Sequence, residues 1–198
     1  MGSKRWVLCI VALGIGLGLV SPALSVDKYV TDTDHTLVGF VVKHLVITNV
    51  RGKFNEFTGV IMFDEKDVTK SSMRGTIKVA SIDTDNEKRD QHLRSADFFD
   101  AEKHPEIMFQ SKRIEKQGEG YVLHGDLTMR GVTKPVAMPF NITGKVTHAG
   151  KTRIGFEAEL EVNRHDYQIS YNRTMDTGGL VVGDKVKIEI VGEAIKEG

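Results

Sequence analysis

The sequence predicts an all-β protein, an antiparallel up-and-down β-barrel of about eight strands with one short helix. Three observations carry this. Period-two alternation of apolar and polar residues recurs along the chain, turn-forming pairs separate the alternating stretches, and only one segment lacks alternation while carrying helix formers. Long strands in simple succession favour closure, because a closed sheet leaves no edge of unpaired N–H and C=O groups. A sandwich is the second choice.

The first element is a leader. Lys4 and Arg5 precede an apolar run from Trp6 to Val20, and Ser21, Pro22, Ala23, Leu24 and Ser25 follow. The run is shorter than the roughly 20 apolar residues of a membrane span, and Ala23-Leu24-Ser25 offers a signal-peptidase site. Residues 1–25 therefore read as a secretory signal peptide, and residues 26–198 as one exported domain, soluble and not membrane-spanning. The only cysteine, Cys9, leaves with the leader, so a hydrophobic core alone must hold the remaining 173 residues. Loss of Lys4 and Arg5 leaves 25 basic against 27 acidic side chains, a formal charge of −2. That balance shows no basic excess for nucleic acid or an anionic membrane.

The strands follow in order. Between Leu37 and His44, the residues Val38, Phe40, Val42 and His44 share a face; between Lys53 and Phe63, so do Gly59, Ile61 and Phe63. Over 73–82, Met73, Ile77 and Val79 oppose Arg74, Thr76 and Lys78. Thr84 and Glu87 form a capping-box pair ahead of Lys88–Ala96, the one predicted helix, which packs through Leu93 and through Phe98 and Phe99 beyond it. Ile107 and Phe109 alternate with Glu106 and Gln110. Tyr121, Leu123, Leu127 and Met129 alternate with His124, Asp126 and Arg130, and Val136, Met138, Phe140 and Ile142 continue the pattern. In 152–162, Ile154, Phe156, Ala158, Leu160 and Val162 face inward while Arg153, Glu157, Glu159 and Glu161 face water. The last strand, 185–195, sets Val186, Ile188 and Ile190 against Lys187 and Glu189. Turns are expected at Arg130-Gly131, Lys134-Pro135, Ala149-Gly150, Gly178-Gly179 and Gly183-Asp184.

Seven histidines and many carboxylates raise the question of a metal enzyme. Spacing answers against it: there is no His-x-x-x-His, His-x-His or Cys pair, and His92, His104, His124 and His148 are isolated residues of surface or turn character. Nor is there a Gly-x-Ser-x-Gly elbow, a Walker loop or a Gly-x-Gly-x-x-Gly run. No catalytic residue, metal ligand or cofactor is expected. Arg89, Asp90, His92, Arg94 and Asp97 concentrate titratable groups on the helix segment. Asp90 and Arg94 stand four residues apart, as a helix-surface ion pair does; in a second reading the segment roofs one barrel mouth and offers polar groups to a ligand. The inward stripe has two readings as well, a filled core or a hollow lumen, and alternation does not choose between them. Tilted strands of about 11 residues at about 3.3 Å each would enclose a lumen on the order of 25 to 30 Å long. His44 is a core histidine or a polar contact at the lumen's end, and Arg164 serves a polar head or a carboxylate such as Asp166.

Asp34-His35-Thr36 leading into Val38–His44, then Gly52-Lys53-Phe54, Phe57-Thr58-Gly59 and Ser81-Ile82-Asp83-Thr84, begin a longer pattern. It continues through Arg89–Asp100 with Pro105 and Phe109, Gly125–Val136, Asn163–Tyr167 and Val182–Val186. Together these segments, in order across nearly the whole mature chain, resemble the YceI-like proteins; Tyr167-Gln168-Ile169 departs from them, standing where Phe-Gly-Ile is expected. The resemblance implies an extended lipocalin-like barrel of the bacterial periplasm, often a homodimer. It also implies a hollow lumen that holds a long apolar amphiphile, a polyisoprenoid or isoprenoid quinone, for transport, storage or sequestration without covalent chemistry. On that implication the lipid-contacting residues are Val38, Phe40, Val42, His44, Ile61, Phe63, Ile77, Val79, Phe98, Phe99, Phe109, Leu127, Met129, Met138, Phe140, Phe156 and Arg164. The alternative is an exported enzyme acting on an isoprenoid or lipid at the helix-capped mouth. A small outer-membrane barrel fits less well: it needs aromatic girdles, whereas the sole Trp lies in the leader and Glu157, Glu159 and Glu161 suit water.

Overall fold

The computed structural model describes residues 26–45, 47–173 and 181–197; residues 1–25, expected to be a leader, and the expected Gly178-Gly179 turn lie outside them. The described strands are β1 (Val26–His44), β2 (Thr48–Phe54), β3 (Phe57–Asp64), β4 (Ser72–Lys78), β5 (Ile82–Asp83), β6 (Glu106–Gln117), β7 (Gly120–Met129), β8 (Val132–His148), β9 (Lys151–Asn163) and β10 (Val182–Lys196), with helix α1 (Glu87–Arg94) between β5 and β6. All pairings are antiparallel. β1 pairs β3 from Val26 to Val30 and β2 from Val38 to His44, so β2 and β3 act as one strand broken at Asn55-Glu56. β4 and β5 are likewise one pass, interrupted by a 3-10 turn at Val79–Ser81. Eight passes result, and β10 pairs along β1 from Tyr29↔Lys196 to His44↔Val182 to close the barrel. No helix among the described residues is long and apolar enough to cross a membrane.

The passes run between two ends. The mouth carries α1, the β1–β2 hairpin and residues 164–173; the floor carries residues 65–71 and the β6–β7 and β8–β9 turns. The β7–β8 turn is Arg130-Gly131 (φ 49° and 73°) and the β8–β9 turn Ala149-Gly150 (φ 50° and 76°), left-handed at both positions as a two-residue hairpin on a twisted sheet requires. Two other expected turns are corrected. Lys134-Pro135 lies within β8, where Pro135 and Pro139 fall in the stretch that β9 does not pair; a residue lacking an N–H is tolerated there. Gly183-Asp184 lies within β10, and Gly183 serves a close approach, since a Cβ there would stand 3.0 Å from Lys43 Cβ and 3.3 Å from Lys43 O.

Two interruptions beside the cavity flip the phase of alternation, and bulges in β6 (Ser111/Arg113) and β8 (Ile142/Gly144) shift it further along the barrel. In β1 the register against β10 shifts between Asp32 and Leu37, a bulge of extra residues on the β1 side. Tyr29 and Thr31 before it and Val38, Phe40 and Val42 after it therefore all reach the interior. The break at Asn55-Glu56 does the same for Phe54 and Phe57. The helix also differs in detail. Its cap is Asn86, whose side chain accepts from Arg89 N at 3.0 Å, while the buried Thr84 donates its hydroxyl to Asp90 Oδ1 at 2.5 Å. With its carboxylate so engaged, Asp90 meets Arg94 only through its backbone oxygen, at 3.2 Å. Both the Thr84–Glu87 capping box and the Asp90–Arg94 ion pair are thus replaced.

Candidate ligand cavity

The barrel is filled at the floor and hollow toward the mouth. Tyr29, Ile61, Phe63, Ile154 and Ala194 form one packed cluster near the floor, with Tyr29 and Phe63 edge to face at 5.9 Å. Ile114, Leu123, Met138 and Phe140 form another, with Phe140 stacked on Tyr121. Above them lies a cavity of about 240 Å³ whose wall is supplied by residues of β1, β2, β3, β4, β6, β7, β8, β9 and β10 and whose roof includes Leu93, Phe98, Phe99 and Ile169. Polar side chains on the wall are few: Thr31, Thr36, Thr58, Arg74 and Arg164. Thr36 is satisfied internally, its hydroxyl lying 3.3 Å from Glu193 O and 3.2 Å from Glu193 N. Beyond the roof a vestibule of about 350 Å³ is lined by Phe40, Val42, Lys43, His44, Val50, Arg89, His92, Leu93, Phe98, Tyr171, Arg173, Val181 and Val182.

Of the residues singled out from the sequence, Val38, Phe40, Val42, Ile61, Ile77, Phe98, Phe99, Phe109, Leu127, Met129, Met138, Phe156 and Arg164 stand on the cavity wall, and His44 on the vestibule. Phe63, Val79 and Phe140 do not line it. Phe63 and Phe140 are consumed by the two floor clusters, and Val79, in the 3-10 turn, packs in the mouth-side core with Ile82 and Ile107. Thr31, Thr36, Phe54, Phe57 and Ile169 were not singled out, yet all reach the wall. The first four flank the two phase flips, whose signature in the sequence is a change of apolar parity across a short polar interval. Ile169 reaches inward from the segment after β9; with Tyr167 it packs in the same cluster as Val132 and Val136, beside the unpaired stretch of β8.

Arg164 organises this end. It is 4% exposed, and its guanidinium donates to the carbonyls of Ile169 (2.7 Å), Tyr171 (2.9 Å), Gly183 (2.9 Å) and Val182 (3.3 Å), with Asp184 Oδ1 at 3.4 Å. The expected partner Asp166 is replaced by backbone oxygens and Asp184, because the chain after β9 folds back around the guanidinium. Burial lowers the arginine's pKa and Asp184 opposes that shift. Nearby, burial pushes the Tyr167 hydroxyl up to about 12. Arg130 joins the mouth elements, donating to Ala96 O at 2.7 Å and to Gln168 O. His92 is half-buried, edge-on to Phe98 and Tyr171, with Nε2 2.8 Å from Asp97 Oδ2. Among the described residues, one grouping of metal-ligand types occurs, Asp32, His35 and Glu193 on the barrel's outside. Asp32 and His35 bond each other at 3.0 Å and Glu193 faces Arg153 at 3.5 Å, so these groups are partnered within the protein.

Fold and cavity together define a closed antiparallel eight-stranded barrel with a one-ended apolar interior. The chain belongs to the YceI-like family, whose domain matches residues 29–194. It is 38% identical over 165 residues to a UPF0312 protein of Photorhabdus laumondii, covering 83% of this chain and 86% of that one. It is 34% identical over 196 residues to a UPF0312 protein of Pectobacterium carotovorum, covering 98% of each. Among solved structures it resembles the YCEI protein of Campylobacter jejuni, with TM-score 0.68 and 34% identity over 79% of this chain and 90% of that one. A polyisoprenoid-binding domain from Saccharophagus degradans, implicated in plant cell wall breakdown, shares the fold with TM-score 0.62 at 13% identity, covering 87% of this chain and all of that one.

Proposed function

We propose that this protein carries one long apolar amphiphile, of isoprenoid type, tail-first in the hollow half of the barrel and without covalent chemistry. The observation that supports this most is the shape of the interior: an almost wholly apolar cavity closed by packed side chains at the floor and opening at the mouth into a vestibule edged by Lys43, His44, Arg89, His92 and Arg173. Such a site suits a hydrocarbon tail inside and a polar head outside. Tail burial is worth about 0.8 kcal/mol per methylene, whereas association costs roughly 4–15 kcal/mol. A tail of about ten carbons, at about 8 kcal/mol, barely matches that cost, so useful affinity favours chains of several isoprenoid units. The polyisoprenoid binding of the Saccharophagus degradans domain agrees with this reading. The leader-like residues 1–25 and the bacterial relatives agree with a periplasmic setting.

Mass spectrometry of an organic extract from gently purified protein tests the proposal. A chemically intact long-chain isoprenoid near one per protein is the expected result. Protein that carries no lipid and takes up none of several added isoprenoids would refute it, and turnover of the bound lipid would replace carriage by catalysis.

A further inference from the structure

The hairpin between β1 and β2 puts an apolar tip beside the vestibule. Ile47 is 82% exposed, more than any other large hydrophobic among the described residues. The tip is tethered: Leu45, left-handed at φ 51°, donates its N–H to Val181 O at 2.9 Å, and Ile47 N donates to His44 O at 3.2 Å. A single exposed isoleucine is ordinary on a protein surface. Its neighbours make this one different, because the strands leading to it supply Lys43, His44 and Val50 to the vestibule, which Arg89 and Arg173 also line.

At the mouth, Lys43, Arg89 and Arg173 form no ion pair with a carboxylate among the described residues, though Arg89 donates to the Thr84 hydroxyl (2.7 Å) and carbonyl (2.6 Å), and no carboxylate lines the vestibule. Three carboxylates of the mouth elements are engaged by other partners: Asp90 by Thr84, Asp97 by His92, and Asp184 by Arg164 and His165. The vestibule lining therefore carries three cations and no carboxylate, although the chain after the expected cleavage has a formal charge of −2. An apolar projection set among unpaired cations is the pattern that seats a protein at the headgroup boundary of an anionic bilayer.

We propose that the mouth end docks on an anionic lipid bilayer, Ile47 entering the headgroup boundary while Lys43, Arg89 and Arg173 lie over the lipid phosphates. The inference rests on lipid carriage, for which docking supplies the route: a tail passing from bilayer to cavity through an apposed mouth never crosses water. The test is cosedimentation of the leader-cleaved protein with phosphatidylcholine vesicles, with and without phosphatidylglycerol. Binding should require phosphatidylglycerol and weaken in high salt. Ile47→Asp should reduce partitioning at least about tenfold, since it replaces the inserting apolar group by an anion. Lys43→Gln and Arg173→Gln should each reduce it roughly fivefold. Val146→Asp, at an exposed apolar site near the floor, should change nothing. Binding insensitive to Ile47 and to both cations, or equal on neutral vesicles, overturns the proposal. So does capture of an acidic protein through these residues without vesicle binding. Protein that carries lipid but ignores vesicles refutes docking and leaves carriage standing; protein that docks but never takes up lipid does the reverse.

Discussion

The hydrogen bond between His35 Nδ1 and Asp32 Oδ2, 3.0 Å long, couples the titration of the two side chains in the β1 bulge. It raises the His35 pKa above its ordinary 6.5 and is the largest cause lowering that of Asp32 below 3.8. The signs are opposite in pH. The His35 contribution to stability is fully present below pH 6.5 and is lost as pH rises through the raised folded value; the Asp32 contribution is present above 3.8 and is lost as pH falls through the lowered one. The pair sits near solvent, so screening keeps its effect on stability small, and NMR is the better readout. The His35 ring should titrate with a midpoint above 6.5 and move back toward it in Asp32→Asn. A midpoint at or below 6.5 in the unsubstituted protein would exclude the bond. Single residues were unevenly legible in the sequence. That Asp34-His35-Thr36 opens the family pattern could be read; that Arg164 is held by four carbonyls could not, because two acceptors lie in an irregular turn after β9 and two in backbone brought near only by the return of the chain into β10.

Within an element, alternation was legible wherever one phase ran unbroken. The faces of β7 and β9 could be read residue by residue, but β1 and the β2–β3 pass could not, because a bulge and a two-residue break each move the inward set to the other parity. The β1–β2 pair shows what such a face requires. Phe40 and Gly52 are directly opposite, and a Cβ on Gly52 would stand 2.3 Å from Phe40 Cζ and 2.7 Å from Thr84 Cγ2. The absent side chain is thus the space in which the Phe40 ring lies. Gly52→Ala should destabilise the protein by about 1–3 kcal/mol through overpacking and push the ring toward the cavity. In a Phe40→Ala background much of that cost should vanish, giving a coupling of about 1 kcal/mol or more in urea denaturation. Simple additivity of the two substitutions would contradict the contact.

At the scale of the molecule, the sequence implied eight passes and closure; alternation left filled and hollow interiors undecided, the resemblance implied a hollow one, and the structure contains both. Alternation reports which face is inside and is silent on whether inward side chains meet across the barrel. That depends on ring sizes and levels on opposite walls, which no single strand contains. Three substitutions separate the halves. Phe40→Glu places a carboxylate on the wall of the hollow half, where the proposed tail lies; unsolvated against hydrocarbon it would cost several kcal/mol, so bound lipid should be lost. Water from the vestibule side can then reach the new charge, so the apo fold should survive with reduced stability. Phe140→Glu puts the same charge into a packed floor cluster, against Leu123, Met138 and Ile114, where no water reaches it. That protein should unfold. Glu159→Lys, at an exposed position paired with Lys187 at 2.6 Å, should keep both fold and lipid, because losing a surface pair changes stability by about 1 kcal/mol or less. Far-UV circular dichroism reads the fold and mass spectrometry reads the copurified lipid. A folded Phe40→Glu protein with a full complement of lipid would remove Phe40 from the ligand's path. If Phe40→Glu and Phe140→Glu unfold alike, the two halves of the barrel are equally filled, and the division on which lipid carriage rests is lost.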